Sequence, residues 1–236
     1  MTAAALQPPA LSRSTEDYLK AIYSLGTSGE PVQTSAIAET LSVAPASVSG
    51  MLKRLAEQEL LEHVPYRGVQ LTTAGRGAAL RMVRRHRILE TYLTQQLGYD
   101  WDSVHDEAER LEHAVSDELI DRMARALGNP QYDPHGAPIP TTAGEIETPD
   151  HVPLSEIGVG RRGEFRMVSD KDPERLRYIA SLGLKVGSRF EVVETQPFRG
   201  PVTIRLVDQA SEARQVIGYE LAKSLRCRVA LGGEGS

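Results

Sequence analysis

Residues 34–58 read TSAIAETLSVAPASVSGMLKRLAEQ, and this stretch decides the fold of the N-terminal part of the chain. Apolar side chains recur at helical spacing in residues 34–41 and again in residues 45–58. Pro45 lies in the first turn of the second segment, where a helix tolerates proline. Only residues 42–44 join the two segments. Two short helices joined by a tight turn predict a helix-turn-helix.

The flanking segments extend this motif to a winged helix. Residues 14–25 carry apolar side chains at helical spacing, and Ser14 with Asp17 forms a capping arrangement, so a first helix is predicted there. After the helix-turn-helix, LLEHVPYRGVQLTTAG contains two short alternating stretches around Arg67, which predict a β-hairpin. We therefore predict a winged helix over residues 1–75.

The second helix of the helix-turn-helix would present its N-terminal residues to the major groove of DNA. Small side chains allow a close approach, serines can donate to phosphates, and cationic side chains can neutralise the backbone. Winged helices also serve as protein-docking modules, and a net charge of −5 does not decide between the two partners. The predicted DNA contacts are Ala44, Ala46, Ser47, Ser49, Gly50, Lys53, Arg54 and, on the wing, Arg67.

A later segment, VHDEAERLEH, carries metal-ligand types on one helical face. It places His105, Glu109, Glu112 and His113 at i, i+4, i+7 and i+8. The two histidines would lie about 12 Å apart along the helix axis, too far for one ion whose ligands lie at about 2 Å. Glu109, Glu112 and His113 can therefore converge on one ion, whereas His105 needs other partners.

The preceding predicted helix, residues 76–97, offers those partners. His86 and Glu90 are one turn apart and could form a second site with His105, between this helix and a long helix predicted for residues 103–127. A solvated face with salt bridges is the alternative for these charged residues. The other histidines have no partners at ligand spacing and are predicted to be ordinary polar residues: His63, His135 and His151.

The C-terminal part has a different pattern. Residues 128–153 are rich in Pro, Gly and Thr, which predicts a connection with little helix or strand. Beyond them GEFRMVS, SRFEVVET, VTIRLVD and RQVIGYEL alternate with turns, and residues 173–182 have helical spacing. A small β-barrel fits this pattern, so the fold class is mainly α with small β parts.

Composition excludes several classes of protein. With 40% hydrophobic and 25% charged residues among 236, the chain is typical of soluble globular proteins. Neither a signal peptide nor a run of the roughly 18 apolar residues of a membrane span is found, so we expect a cytoplasmic protein without a membrane partner. The one cysteine, Cys227, cannot build a cysteine-rich zinc site within one chain. A bound metal must therefore be held by nitrogen and oxygen.

These segments resemble the diphtheria toxin repressor family of metal-dependent regulators, which includes the manganese transport regulators. STEDYLKAIYSL is similar to the family's first helix, and AIAETLSVAPASVSGMLKRL to its helix-turn-helix. VRRHRILE and VHDEAERLEHAVSDE resemble its metal-binding helices, DPHGAPIP its following loop, and SLGLKVGSRFEVVE its SH3-like barrel. The implied domains are a winged helix (1–75), a helical metal-binding and dimerisation domain (76–140), a linker (141–152) and an SH3-like, FeoA-like domain (153–236).

The resemblance also implies two metal sites. The primary activating site would be Asp17, Glu109, Glu112 and His113, and the ancillary site His86, Glu90 and His105. Asp172 falls where some members add an ancillary ligand, although Arg175 departs from the pattern. Iron-responsive members have Met and Cys where this chain has Asp17 and Glu109, and hard oxygen donors favour Mn(II), with Fe(II) as the second choice. Lys20 replaces a glutamate of members that bind a two-metal cluster, which disfavours the cluster.

The implied function is a homodimeric, manganese-activated regulator, a repressor of metal-uptake genes that binds a palindromic operator in double-stranded DNA and is not an enzyme. An Fe(II)-responsive regulator of the same family is one alternative. A metal-dependent hydrolase is another, because Glu and His can activate water, although no nucleophile or oxyanion signature accompanies them. A third is a winged-helix regulator that needs no metal.

Overall fold

The computed structural model describes residues 11–26, 29–207 and 214–230. The chain divides into two compact units, Met1–Arg85 with Pro140–Glu145, and His86–Ile139 with Ile146–Ser236. No helix in the described ranges is long and apolar enough to span a membrane. The helices are α1 (Arg13–Leu25), α2 (Thr34–Thr40), α3 (Pro45–Glu57), α4 (Thr73–Leu97), α5 (Val104–Leu111), α6 (Asp117–Ala126), α7 (Pro173–Ser181) and α8 (Tyr219–Ser224). The strands are β1 (Leu61–Val64), β2 (Gly68–Leu71), β3 (Val152–Pro153), β4 (Arg162–Met167), β5 (Arg189–Thr195), β6 (Val202–Leu206), β7 (Arg214–Ile217) and β8 (Arg226–Val229).

The first unit contains the predicted winged helix. Helices α1 to α3 and the antiparallel β1–β2 hairpin pack around one apolar cluster, so that each helix buries only the stripe its sequence makes apolar. Val32 adds a third backbone segment to the hairpin, because its N–H and C=O pair with Val69 at 2.8 and 2.9 Å. The buried side chains at the centre of the cluster are Leu19, Ile22, Ile37, Val48, Leu52 and Leu55.

The start of α1 differs from the sequence prediction. Ser12, not Ser14, is the N-cap residue, and its Oγ accepts the N–H of Thr15 at 3.2 Å. The predicted pairing of Ser14 with Asp17 was therefore wrong as a cap, since Asp17 lies in the second turn of the helix. Both serines satisfy the residue preference of an N-cap, and only the backbone geometry distinguishes them.

Gly50 lies in the middle of α3, where a glycine weakens a helix. A Cβ at this position would meet no atom within 4 Å. We expect Gly50→Ala to raise the free energy of unfolding by about 0.5–1 kcal/mol, measured by urea denaturation. Gly77→Ala in α4 is the matched control, because the nearest atom to its Cβ is the Arg81 guanidinium at 3.9 Å. A loss of stability in Gly50→Ala alone would contradict the open surroundings of this position.

The second unit begins with the C-terminal half of α4, which packs on α5 and α6 through Ile88, Val104, Ala108 and Ile120. The single helix predicted for residues 103–127 was wrong, because α5 ends at Leu111 and α6 begins at Asp117. Ser116 caps α6 by accepting the Leu119 N–H at 3.2 Å. Asp117 and Glu118 then place negative charge in its first turn, and both features favour a helix start at this point.

Residues 128–139 are more ordered than a plain connection. Tyr132 forms an isolated antiparallel bridge with Pro138, and His135 and Ile139 are buried. The loop is held against β4 and the residue that follows it, since the Val168 N–H donates to the His135 carbonyl at 3.0 Å. The prediction of little helix or strand here is correct, but the loop is part of a packed core.

The C-terminal part of this unit is a six-stranded antiparallel sheet in the order β3-β8-β4-β5-β6-β7. Phe165, Phe190, Ile204 and Leu176 lie in its apolar cluster, so α7 packs on the same core as the strands. The predicted strands correspond to β4, β5, β6 and β7, whereas β3 and β8 were missed. The run RQVIGYEL contains β7 and the start of α8.

Candidate metal centre and DNA-binding surface

His86 and Glu90 lie one turn apart on α4 and are buried, at 4% and 0% exposure. His86 Nε2 lies 3.1 Å from Glu90 Oε1 and 3.1 Å from Nδ1 of His105, which α5 supplies. His105 Nδ1 is 3.3 Å from the same Glu90 oxygen. The structure thus brings together the three residues predicted for the ancillary site. Spacing along α4 placed two of them on one face, and the packing of α5 on α4 brings the third.

A fourth carboxylate joins these residues from the loop after β4. Asp170 Oδ2 lies 3.3 Å from His105 Nδ1 and 4.0 Å from His86 Nε2. The predicted residue, Asp172, lies elsewhere, because it caps α7 by accepting the Arg175 N–H at 3.0 Å. The structure therefore places Asp170, and not Asp172, beside His105 and His86, and only the course of the loop shows this. We call His86 Nε2, Glu90, His105 and Asp170 the upper set.

The other nitrogen of the His86 ring faces a second group of ligand types. His86 Nδ1 is 2.6 Å from Glu112 Oε2 and 3.8 Å from Glu109 Oε1. Glu112 is completely buried, and its Oε1 lies 3.6 Å from His113 Nε2. We call Glu109, Glu112 and His113 the lower set. Asp17, the remaining residue of the predicted primary site, lies on α1 in the first unit.

Sequence analysis missed the part played by His135. The side chain is 1% exposed rather than an ordinary polar surface group, and its Nδ1 lies 3.7 Å from Glu90 Oε2. Its Nε2–H donates to the Trp101 carbonyl oxygen at 2.6 Å, and the two rings stack with centroids 5.9 Å apart. Asp133 stands beside it and accepts the backbone N–H groups of His135 and Ala137, both at 2.9 Å. The signal available in the sequence was Asp133 and His135 two residues apart in DPHG.

Three polar atoms of this group are buried without a hydrogen-bond partner: Glu90 Oε2, Asp133 Oδ2 and His135 Nδ1. Arg87 Nε comes within 3.5 Å of Asp133 but does not complete a hydrogen bond. Buried polar atoms are rarely left unsatisfied, and a cation shared by a carboxylate and an imidazole would satisfy them. The donors of the upper and lower sets are likewise imidazole nitrogens and carboxylate oxygens, which fits a divalent transition metal.

Charged groups of the cluster pair with one another. Burial opposes protonation of His105, but Asp170 and Glu90 outweigh it and raise its pKa to about 10. Burial likewise opposes protonation of His135, yet the nearby Glu90 and Asp133 carboxylates raise its pKa to about 9. For Glu90 burial favours the neutral acid, and the three histidines around it overcome this and lower its pKa. Burial and the charge of Glu90 raise the pKa of Asp133 to about 6.

These shifts predict a pH-dependent stability of the metal-free protein. His105 and His135 bind protons more tightly in the fold than at their ordinary pKa of 6.5, so their contribution is complete below about pH 6.5 and is lost as pH rises through about 9 to 10. We expect the free energy of unfolding, measured with urea in the presence of a chelator, to fall as the pH rises from about 6.5 to about 10. His105→Gln should flatten the decline, and His63→Gln on the exposed wing should not. An equally steep decline in His105→Gln would contradict the assignment.

The second surface of interest is α3. Val48, Leu52 and Leu55 are buried, whereas the residues predicted to contact DNA on this helix and just before it are exposed. Ser49 Oγ donates to the Pro45 carbonyl at 3.1 Å, and Arg67 on the wing pairs with Glu30. The exposed residues are Ala44, Ala46, Ser47, Ser49, Gly50, Lys53, Arg54 and, at the tip of the wing, Arg67.

Most of the chain is similar to known repressors. Residues 10–69 match the iron dependent repressor N-terminal DNA binding domain, residues 72–141 the iron dependent repressor metal binding and dimerisation domain, and residues 152–229 the FeoA domain. The diphtheria toxin repressor of Corynebacterium glutamicum is 32% identical over 194 residues, which are 78% of this chain and 85% of that protein. The iron-dependent repressor IdeR of Mycobacterium leprae is 38% identical over 127 residues, 54% of this chain and 55% of that one.

A solved structure of a manganese-dependent transcriptional repressor in complex with manganese is similar over 92% of this chain and 100% of that chain, with 41% identity and a TM-score of 0.83. Fold, ligand clusters and relatives together define a metal-dependent, DNA-binding transcriptional repressor with a dimerisation domain. These relatives are repressors and not enzymes, so the alternative of a metal-dependent hydrolase was wrong. The alternative of a regulator that needs no metal was also wrong, because residues 72–141 match a metal binding domain. The chain belongs to the diphtheria toxin repressor family.

Proposed function

We propose that this repressor is activated by Mn(II) and controls metal-uptake genes by binding a palindromic operator as a homodimer, which would place it in the cytoplasm. The observation that carries the metal assignment is the donor set, because the clustered ligand atoms are all nitrogen or oxygen. Cys227, the one cysteine of the chain, is buried in the C-terminal core, and burial raises the pKa of its thiol to about 12. The thiol therefore stays protonated and does not act as a metal ligand. Hard donors without thiolate favour Mn(II).

The proposed ligands follow from the clusters and the family resemblance. The upper set, with Asp170 in place of Asp172, would hold one ion. Asp133 and His135 lie next to this set, on the side of Glu90 Oε2. The lower set would hold another, to which the resemblance adds Asp17. Bound metal would supply positive charge that neutralises these buried carboxylates.

Coupling to DNA follows from which domain each ligand belongs to. Asp17 falls in the matched DNA-binding domain, and Glu109, Glu112 and His113 in the matched metal-binding and dimerisation domain. Shared ligation would fix the recognition helices of a dimer at the spacing of two operator half-sites, about one DNA turn apart. The metal would thus order the recognition helices before the dimer meets DNA, which lowers the conformational cost of binding.

The test begins with an operator selected from random-sequence DNA in the presence of Mn(II), which also reveals whether the site is palindromic. Affinity for this fragment is then compared at fixed salt with Mn(II), Fe(II) under anaerobic conditions, Co(II), Zn(II) and a chelator. We expect the protein to bind the operator at least tenfold more tightly in the presence of Mn(II) than in the presence of the chelator. Equal affinity with and without metal would overturn the proposal, and preferential activation by Fe(II) would support the iron-responsive alternative, to which the IdeR relatives point.

The DNA contacts can be tested separately from the metal. We expect Arg54→Ala to weaken operator binding uniformly and to reduce the slope of log affinity against log salt by about one, because it removes one phosphate contact. Arg122→Ala, exposed on α6 and paired with Glu118, is the matched control. Gly50→Ala should bind the operator less tightly although its fold is more stable, since its new methyl group would occupy the predicted groove face. An unchanged salt slope in Arg54→Ala would remove that residue from the interface.

A further inference from the structure

The charge of the chain is unevenly distributed along the sequence. Residues 153–236 contain 14 Lys and Arg against 11 Asp and Glu, a net charge of +3, whereas residues 1–152 contain 13 against 21, a net charge of −8. The cationic surplus therefore belongs to the C-terminal part, to which the function proposed above assigns no partner of its own. In proteins that bind polyanions, cations are concentrated where the partner lies.

The cross-strand register collects most of these cations on the outward face of the six-stranded sheet. Successive side chains of a strand point to opposite faces, and Phe165, Phe190 and Ile204 point into the apolar core. The residues that alternate with them point away from that core, and we call this outward side of the sheet the arginine face. Its charged side chains are seven arginines, Arg162, Arg166, Arg189, Arg205, Arg214, Arg226 and Arg228, and three glutamates, Glu164, Glu191 and Glu194.

One row of charged side chains crosses four strands of this face. Glu191 on β5 lies opposite Arg162 on β4 and Arg205 on β6, and Arg214 on β7 lies opposite Arg205. Glu191 Oε2 accepts from Arg162 Nε at 3.3 Å and from Arg205 Nη2 at 3.0 Å. Neighbouring strands lie about 4.8 Å apart, so the row is about 15 Å long. It holds three guanidinium groups and one carboxylate.

The adjacent row has the same kind of composition. Glu164 lies opposite Arg228 on β8 and Arg189 on β5. Its Oε2 accepts from Arg228 at 2.8 Å, and its Oε1 accepts from Arg166 on the same strand at 2.9 Å. A single guanidinium can pair with a carboxylate through two hydrogen bonds, so pairing within the sheet does not require this many arginines. The surplus charge faces solvent, since the side chains of Arg162 and Arg228 are 70% and 61% exposed.

The composition of the arginine face indicates the chemistry of its partner. The described strands of this sheet contain no lysine, and the guanidinium of arginine binds phosphate oxygens in a bidentate geometry that lysine cannot offer. Protein partners usually dock on a patch with an apolar centre. Here the centre is charged, and the exposed apolar side chains Val207 and Val216 lie on the edge strand β7 or next to it. Duplex DNA, with about one negative charge per 1.7 Å of its axis, is complementary to such a surface.

We propose that the arginine face binds the phosphate backbone of double-stranded DNA, as a contact surface in addition to that of the winged helix. Phosphate contacts carry no sequence information, so this face adds affinity and salt dependence to the complex and leaves operator specificity to the winged helix. The proposal does not depend on which metal activates the repressor, because none of the clustered metal-ligand types lies on the outward face.

The test removes two arginines of the face from the full chain and leaves both paired glutamates with a partner. In the double variant Arg162→Gln with Arg228→Gln, the glutamates keep Arg205 and Arg166. Affinity for a random-sequence duplex is measured by fluorescence anisotropy with Mn(II), at about 50 to 200 mM salt. We expect the double variant to bind at least about tenfold more weakly at the lowest salt concentration. The slope of log affinity against log salt should fall by about one for each arginine that contacts a phosphate.

The double variant Arg175→Gln with Lys185→Gln is the matched control. It removes the same charge from the same domain, but from α7 and the segment that follows it, and α7 packs on the opposite, apolar side of the sheet. We expect this control to bind the random-sequence duplex like the wild type. Equal affinity and equal salt slope in the wild type and the Arg162, Arg228 variant overturn the proposal.

Photo-crosslinking distinguishes direct contact from a long-range effect of charge. The photoreactive residue p-benzoylphenylalanine is introduced in place of Val216, which is 57% exposed on the arginine face, or of Tyr178, which is 52% exposed on α7. We expect ultraviolet light to join the duplex to the first position and not to the second. A crosslink from position 216 to another protein chain in place of DNA overturns the proposal, because the face would then dock an acidic protein surface.

Discussion

Glu112→Gln is expected to abolish Mn(II)-dependent operator binding while leaving the fold intact. The amide has nearly the same shape as the carboxylate, so the buried position remains filled. It removes the negative charge of a lower-set residue whose carboxylate oxygens lie 2.6 Å from His86 and 3.6 Å from His113. The loss of Mn(II) affinity should exceed the roughly 10–100-fold that follows the loss of an outer hydrogen bond alone.

Two measurements check this result. Calorimetric titration gives the Mn(II) affinity, and fluorescence anisotropy of the selected operator gives the DNA affinity with and without Mn(II). Glu118→Gln is the matched control, since that carboxylate is exposed on α6 and pairs with Arg122. A Glu112→Gln protein that still responds to Mn(II) like the wild type would remove this residue from the switch.

Gly136→Ala should have the largest effect on stability. A Cβ on this residue would lie 1.7 Å from the Arg166 carbonyl oxygen, and its φ of +85° disfavours any L side chain. The loop of residues 132–139 could then no longer pack on β4, and His135 would leave the cluster. We expect the free energy of unfolding to fall by about 2–4 kcal/mol, combining the clash with the cost of the left-handed backbone.

Gly128→Ala separates these two causes. Gly128 has a similar φ of +77°, but its Cβ would meet nothing within 4 Å. Only the conformational cost of about 1–2 kcal/mol should appear there. The fluorescence of Trp101, the one tryptophan of the chain, provides the readout, because it stacks on His135. Equal destabilisation by the two substitutions would contradict the close approach of the loop to β4.

Much of the site was predictable because it depends on local periodicity. A helix repeats every 3.6 residues, so His86 and Glu90 had to share a face of α4, and the stripe of ligand types from His105 to His113 was predicted to face one way. The exposed and buried sides of α3 followed from the same rule. The break between α5 and α6 was missed because helical spacing continues across residues 112–116, while the capping signal of Ser116 was overlooked.

The sequence by itself determined the winged helix, the helical ligand pairs and a donor set of nitrogen and oxygen, since residue type and spacing within a helix decide these. Only the tertiary structure decided that Asp170 joins the upper set in place of Asp172, and that Asp133 and His135 stand beside Glu90. These residues lie on loops, whose positions depend on contacts between distant segments. The N–H of Val168 on the His135 carbonyl and the close approach of Gly136 to Arg166 place them, and no local pattern encodes such long-range packing.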